Sequence, residues 1–288
     1  MLKHVCIQVI DGKRISLELK DELKEKVQQL RQQGKTVCLA VIQVGNDQAS
    51  SVYVNGKKKD CEYIGIESLS YELPEETSEK ELIGLIEKLN HDDHVNGILV
   101  QLPLPGHIRE SVVTTAILPE KDVDGFHPVN MGKLCIDEEG FKCCTPAGVI
   151  QLLKRSGIQI DGKECVVIGR SNNVGKPTAL LLLKENGTVT IAHSKTDNLK
   201  EVTRRADIVV AAVGKPKFIT ADYIKEGAVV VDVGIHRDQE GKLCGDVDFD
   251  DVYDKVKAIT PVPGGVGVMT RAMLMHNCVQ AACEREEK

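Results

Sequence analysis

The sequence predicts an α/β protein of two domains, the second built on a doubly wound parallel sheet. Three observations carry that expectation. A chain of 288 residues is long enough for two domains at roughly 150 residues each. Short valine-rich apolar runs alternate with amphipathic stretches, which is the pattern of parallel strands joined by helical crossovers. Many of the 25 glycines stand in short clusters beside those runs, as tight turns and close backbone approach require.

Taken in order, residues 15–33 set Leu19, Leu23, Val27 and Leu30 on one helical stripe, and Gly34 ends that helix. Thr36–Val44 reads as a strand buried on both faces. A helix from about Ser50 to Tyr63 follows, stopped by Gly65, then a short strand near 66–72 and a helix near 78–90. The apolar strand Gly97–Leu102 completes this half. From Pro103 to Thr145 the chain reads as irregular, rich in proline and glycine, and holds the expected domain junction. Beyond it, strands are predicted at Cys165–Ile168, Thr188–Ala192, Ile208–Val213 and Val229–Val233, with a helix from Gly175 to Glu185. A last helix, from about Thr270 to Arg285, has a length suited to packing back on the first domain. The expected boundaries are 1–144 together with 270–288, and 145–269.

Composition narrows the function. With 37 basic and 43 acidic residues the net charge is −6, and there is no tryptophan beside five tyrosines and four phenylalanines. That argues against nucleic acid, which needs a basic face and stacking platforms. No run of about 18 uncharged apolar residues exists, so no membrane span is expected. The N-terminus lacks a signal-peptide pattern, and the ten cysteines are scattered without a C-x-x-C pair. Both point to a reducing, cytoplasmic compartment. A redox role for adjacent Cys143 and Cys144 is a minor alternative. His91-Asp92-Asp93-His94 reads as the polar end of a helix, not as a metal site, because no further ligand set accompanies it.

After the strand ending at Ile168 comes Gly169-Arg-Ser-Asn-Asn-Val-Gly175-Lys-Pro177 and then a helix. A glycine at the strand end permits the tight turn, and a second lets the helix N-terminus approach a pyrophosphate. The spacing departs from G-x-G-x-x-G, and a structural turn without ligand is the competing reading. A Walker A loop fails on spacing and on Pro177, which stands where a magnesium-binding hydroxyl would be. The next strand ends His193-Ser194-Lys195-Thr196 with no acid to hold a ribose 2′-hydroxyl. Arg170 could instead meet a 2′-phosphate, with Ser194 donating a hydrogen bond, so NADP is favoured over NAD.

Reactive groups in the first half are individually ambiguous. Tyr53 and Lys57, four apart, share a helical face, as ordinary amphipathic surfaces also do. The Tyr-x-x-x-Lys of short-chain dehydrogenases follows the cofactor turn, whereas this pair precedes it. Gln101 is a polar residue in an otherwise apolar strand between Val100 and Leu102, and a buried amide needs partners. Asp122-Val-Asp124-Gly125 could be a simple turn. Pro261-Val-Pro263-Gly264-Gly265-Val-Gly267 is too rigid and glycine-rich for a casual linker and suggests backbone approaching a ligand.

Together these segments are specific. Tyr53-Val-x-x-Lys57, Gly97-Ile-Leu-Val-Gln-Leu-Pro-Leu-Pro105, Pro119-Glu-Lys-Asp-Val-Asp-Gly125, Thr145-Pro-x-Gly148, the turn from Gly169 to Pro177, His193-Ser-Lys-Thr196 and Pro261–Gly267 occur in order. The chain resembles the bifunctional methylenetetrahydrofolate dehydrogenase/methenyltetrahydrofolate cyclohydrolase family along essentially its whole length. Val268, where the family usually has proline, is a departure expected to alter a loop slightly.

The resemblance implies an N-terminal folate-binding domain, a Rossmann-type NADP-binding domain, a cleft between them, and a homodimer formed through the cofactor domain. It implies NADP-dependent oxidation of 5,10-methylenetetrahydrofolate and hydrolysis of the product to 10-formyltetrahydrofolate, in the one-carbon interconversions that feed purine biosynthesis. Lys57 would be the proton-transfer group, with Gln101 orienting it, Tyr53 packing on the folate and Asp124 accepting from the pterin. Val100, Leu102, Pro263, Gly264, Gly265 and Gly267 would complete the folate site. Thr145, Gly169, Arg170, Ser171, Gly175, Ser194 and Ile235 would hold the dinucleotide. No metal is implied. A dehydrogenase without cyclohydrolase activity, and a non-catalytic NADP-dependent sensor of the same fold, are the alternatives.

Overall fold

A computed structural model describes residues 7–46 and 48–284, for 48–52 by the backbone alone. The N-terminal segment with Cys6, and Arg285 at the expected end of the last helix, lie outside the described residues. In chain order the first elements are β1 (Gln8–Val9), α1 (Gly12–Gln32), β2 (Cys38–Val44), α2 (Gln48–Ile64) and β3 (Glu67–Leu73). Then come α3 (Glu79–Asn90), β4 (Gly97–Val100), α4 (Glu110–Ala116), α5 (Pro128–Cys135) and α6 (Cys144–Arg155). The later part holds β5 (Glu164–Ile168), α7 (Gly175–Lys184), β6 (Thr188–Ala192), α8 (Leu199–Arg204), β7 (Ile208–Ala211) and β8 (Val229–Asp232). It closes with β9 (His236–Arg237), β10 (Leu243–Cys244), α9 (Phe249–Tyr253), β11 (Ala258–Ile259) and α10 (Val266–Glu284). None of these helices is long and apolar enough to cross a membrane.

The chain divides into two compact units, residues 17–144 with 271–288, and residues 1–16 with 145–270. The expected division kept 1–144 together. The described residues before Leu17 group instead with the later unit, because β1 pairs in parallel with β11 and becomes a strand of its sheet.

In the unit of residues 17–144 and 271–288, a parallel sheet runs in the order β3-β2-β4. All seven residues of β2, Gln43 among them, are buried, as a central strand covered on both faces requires. Leu19, Leu23, Val27 and Leu30 form the buried stripe of α1. Ser78 and Glu81 close a capping box on α3, whose Leu82, Ile86 and Leu89 pack on the sheet with Ile98 and Val100. Two expectations change here. The region 103–145 is not irregular throughout, since α4 and α5 lie within it; each is too short to show a helical period in sequence. The last strand ends at Val100, so Gln101 follows it rather than standing within it, although its N–H still donates to Ile42 O at 2.8 Å.

After β4 the chain returns to the same sheet. Asp122 bridges Ile98, and Val123 lies so close to Gly97 that a methyl group there would fall 2.6 Å from its Cγ1. Asn277 of α10 donates to Val123 O at 2.9 Å and to Lys142 O at 3.0 Å. Asp124, the next residue, is thereby fixed.

Lys121 is the largest side chain wholly out of solvent. Its ammonium donates to Leu89 O at 2.7 Å and Asp92 O at 2.8 Å, closing the C-terminal end of α3. A buried charge is tolerable only with such acceptors.

The other unit is a six-stranded, wholly parallel sheet in the order β1-β11-β8-β7-β5-β6. β5 is flanked by β6 on one side and β7 on the other, so the strand order reverses at its carboxyl end. In open parallel sheets that is where ligands bind. The core is aliphatic, with Val166, Ile168, Val209, Ala211, Val230 and Ile259 buried. The last helix starts at Val266, four residues earlier than expected. Gly267 and Val268 therefore belong to its first turn and not to a loop. Valine and proline are both acceptable there, because the first-turn N–H groups have no intrahelical acceptor.

Lys121→Met should lower stability by about 2 kcal/mol, the cost of leaving buried carbonyls without their charged donor. Urea unfolding followed by circular dichroism checks it, with a lowered midpoint expected.

Candidate active site

Two groups of functional side chains emerge, one in each unit. In the unit of residues 17–144 and 271–288, α2 presents Tyr53 and, one turn on, Lys57, and the segment leaving β4 presents Gln101. The Lys57 ammonium nitrogen donates to Gln101 Oε1 at 2.9 Å, and Gln101 Nε2 donates to Leu102 O at 2.6 Å. The amide is thus oriented from behind, its oxygen turned to the amine. Val100, Leu102 and Asp124 share the wall of a small cavity of about 20 Å³.

Lys57 is 9 % exposed, and that burial holds its pKa below the ordinary lysine range. Asp124 opposes the shift, and Arg271 adds to it. Asp124 is itself pushed up to about 6 by burial, against the pull of Lys57. Each group is therefore poised nearer neutrality than in water, which suits proton transfer. The neighbouring thiols carry no charge. Burial pushes Cys61 up to about 12 and Cys144 well above the ordinary range, and Cys144 Sγ donates to Val123 O at 3.3 Å. Asp122 does different work from Asp124. It accepts from His127 N at 2.8 Å and Asn130 Nδ2 at 2.9 Å and organises the start of α5.

In the unit of residues 1–16 and 145–270, Gly169 follows β5 with φ +145°, and a methyl group on it would overlap Ala212 O. A methyl on Gly175 would overlap Gly169 O. The two glycines therefore let the start of α7 sit against the strand end, as a dinucleotide cradle needs. Val174 supplies no side-chain cap to α7, while Ser171 Oγ accepts from Gly175 N at 3.3 Å. Gly169, Arg170 and Ser194 line a pocket of about 330 Å³ with His193, Thr196 and Lys215. The first three were expected from sequence, and the last three extend the set. β6 ends without an acid, and basic Arg170 and Lys215 share this wall, so the residues present fit NADP. Ile235 is 44 % exposed and directly precedes His236.

Sequence reasoning missed Asp246. Wholly buried, it accepts from the N–H groups of Val213, Gly214 and Lys215 at 2.6, 3.1 and 3.0 Å. It also pairs with His236 Nε2 at 2.7 Å. One carboxylate thus ties the loops after β7 and β8, which carry pocket residues and Ile235. Asp232 supports it by accepting from Gly234, Asp246 and Val247 N–H groups, each at 2.9 Å. The signal available in sequence was Gly245-Asp246-Val247-Asp248 beside strand-like runs, which alone does not tell a turn from a support.

Thr145 Oγ1 lies 3.0 Å from Thr270 Oγ1. Pro263, Gly264 and Gly265 form the turn before α10, where a methyl on Gly265 would lie 2.6 Å from Pro261 O. They belong to the same unit as Thr145, not to the unit of Lys57. Gly267, expected beside them, is helical. The run from His91 to His94 divides. His91 ends α3, and His94 Nε2 pairs with Glu67 at 2.9 Å. Ligand-type atoms of Cys38, Glu67 and His94 lie within 4.8 Å of one another, but burial pushes the Cys38 thiol up to about 12, away from a metal-binding thiolate.

Comparison with known proteins accounts for both groups. Residues 10–124 match the catalytic domain, and residues 143–286 the NAD(P)-binding domain, of tetrahydrofolate dehydrogenase/cyclohydrolase. The bifunctional protein FolD of Lachnoclostridium phytofermentans is 69 % identical, over 95 % of this chain and 97 % of that protein. The crystal structure of the FolD methylenetetrahydrofolate dehydrogenase/cyclohydrolase of Campylobacter jejuni is 51 % identical with a TM-score of 0.96, covering 97 % of this chain and 100 % of the other. That of Trypanosoma brucei, complexed with NADP cofactor and an inhibitor, is 38 % identical with a TM-score of 0.92, covering 98 % and 99 %. The chain belongs to the tetrahydrofolate dehydrogenase/cyclohydrolase family.

Proposed function

We propose that this chain oxidises 5,10-methylenetetrahydrofolate to 5,10-methenyltetrahydrofolate with NADP⁺ and hydrolyses the product to 10-formyltetrahydrofolate. The observation that carries the reading is a buried lysine amine held on an oriented amide, with a carboxylate close by. NADP⁺, when bound, supplies the hydride acceptor. Gly169, Arg170, Ser171, Gly175 and Ser194 hold it, with Thr145 and Ile235 completing the site. Arg170 and Ser194 take the 2′-phosphate.

Lone pairs on the folate nitrogens stabilise the methenyl cation, so in the first reaction the protein chiefly aligns and shields. In the second, water adds to the cationic carbon and the bond from that carbon to the pterin N5 breaks. Lys57 in its neutral form takes the proton from water and returns one to N5, leaving the formyl group on N10. Gln101 keeps the amine in line. Asp124 accepts from the amino edge of the pterin, and Tyr53, 37 % exposed, offers its ring to the folate. Val100 and Leu102 complete the folate contacts of this unit.

The domain roles follow as part of the proposal. The unit of Lys57 binds folate, and the six-stranded unit binds the dinucleotide. A homodimer forms through the latter. β6 is an edge strand, with Ile191 42 % and Leu183 of α7 59 % exposed beside it, and an uncovered strand edge invites pairing. A reducing, cytoplasmic setting suits the scatter of the nine described cysteines, most of them buried.

Lys57→Met should lose cyclohydrolase activity by about 10²–10⁴-fold while NADP⁺ binding persists. Absorbance of the methenyl chromophore measures the first and fluorescence titration the second. Full hydrolysis by this variant would remove Lys57 from the mechanism. Asp246→Asn should weaken NADP⁺ by about tenfold, the worth of one charge-assisted bond, and leave hydrolysis, which uses no cofactor, intact. Ile191→Lys should turn a sedimenting dimer into a monomer.

A further inference from the structure

Arg271, the sixth residue of α10, lies against the helix that carries Lys57. Gly56 immediately precedes that lysine, and a methyl group on Gly56 would overlap the Arg271 guanidinium. Glycine is the one residue that lets the guanidinium rest on the α2 backbone here. One turn further along the same face is Asp60, 6 % exposed. Its Oδ2 is 3.1 Å from Arg271 Nε, and its Oδ1 accepts from Lys20 Nζ at 3.0 Å. The Arg271 side chain is 27 % exposed, so bulk water screens it only in part.

The charges do not cancel. One buried carboxylate is shared by two cations, so it neutralises neither of them fully. The groups facing the amine from the surrounding elements are Gln101 after β4, Asp124 after the bridge to β4, Cys144 at the start of α6, Cys61 on α2 and Arg271 on α10. Gln101 is neutral, and both thiols are held protonated by burial. Burial is the largest influence on the amine; among the charged groups Asp124 favours the ammonium and Arg271, more weakly, the free amine.

We propose that Arg271 is a positioning residue for Lys57: clamped by buried Asp60 against Gly56, it sets a positive charge, only partly neutralised, beside the amine and so favours the form that accepts a proton from water. The inference rests on Lys57 being the proton-transfer group. It gives a purpose to Gly56, Asp60 and Arg271, none of which the folate or dinucleotide contacts require.

The test is the pH profile of methenyltetrahydrofolate hydrolysis, corrected for the uncatalysed reaction, in the parent, Arg271→Met, Arg271→Gln and Arg271→Lys. A nearby like charge favours the neutral amine, so removing it raises the pKa of Lys57. The acid limb should then move to higher pH by about one unit in the Met and Gln variants, with roughly tenfold slower hydrolysis below the limb. Arg271→Lys keeps the charge and should restore the parent profile. A cooperative urea transition followed by circular dichroism certifies folding of each variant, and Gln, which keeps a polar head, serves where Met does not fold. An unmoved limb, a change confined to KM for the folate, or equal damage in the Lys variant overturns the proposal. If Lys57→Met also hydrolyses at the parent rate, the fault lies with the assignment of Lys57 itself. If Lys57→Met is dead and the limb is unmoved, only the role of Arg271 fails.

Discussion

A lysine amine deprived of most of its water is the constraint on which this molecule turns. Charged, the amine would be strongly disfavoured at 9 % exposure without full compensation. The surroundings supply one neutral acceptor, Gln101, and one carboxylate that burial itself brings toward neutrality. This is a balance of opposed terms: desolvation and Arg271 favour the free amine, and Asp124 favours the ammonium. A full ion pair would fix Lys57 as a cation and an apolar pocket would strand it as a base. Proton exchange in both directions needs the intermediate case. Lys121, the other buried lysine of this unit, shows the contrast. Two backbone carbonyls at 2.7 and 2.8 Å accept from its Nζ and give it a structural task at the end of α3.

The dinucleotide unit meets its own constraint with backbone. At the switch point after β5, Gly169 and Gly175 have no room for a side chain, so the α7 amides can be brought to a phosphate. Loops at such strand ends carry no ladder to hold them. Asp246 substitutes for that ladder by accepting three successive N–H groups from residues 213–215, and His236 docks on the same carboxylate. Burying Asp246 is tolerable because its oxygens are so fully engaged. Asp232, pushed up to about 6 by the same burial, holds the backbone of Asp246 in turn.

What was legible in the sequence was local. The run of β2, apolar but for Gln43, the stripe of α1 and the glycine turn after β5 each follow from the composition of a short window. Lys57 and Gln101 were legible through motifs, and the 2.9 Å bond between them gives those motifs a geometry. What escaped was of two kinds. α4 and α5 have seven and eight residues, too few for a helical period to stand out beside proline and glycine. The glycine-rich run 261–267 concealed a helix start, because small residues in a first turn look like loop. Asp246 and Asp60 escaped for another reason: each acts through partners far along the chain, and no window contains both ends of Arg271–Asp60 or of Asp246–Val213.

Asp122 and Asp124 show how the fold assigns unlike tasks to like residues. They lie two apart, on a segment that adds to β4 through a single bridge. In extended chain, residues two apart would share a side, but past the bridged Asp122 the chain turns, and Val123 in that turn is pinned by Gly97 in front and Asn277 behind. Asp122 turns to the start of α5 and spends its oxygens on His127 and Asn130. Asp124 is left facing Lys57. Enlarging Gly97 would push Val123, and with it the carboxylate whose distance from the amine sets the balance of charge there. The chemistry at Lys57 is therefore held in register by an apolar contact in which neither reacting group takes part.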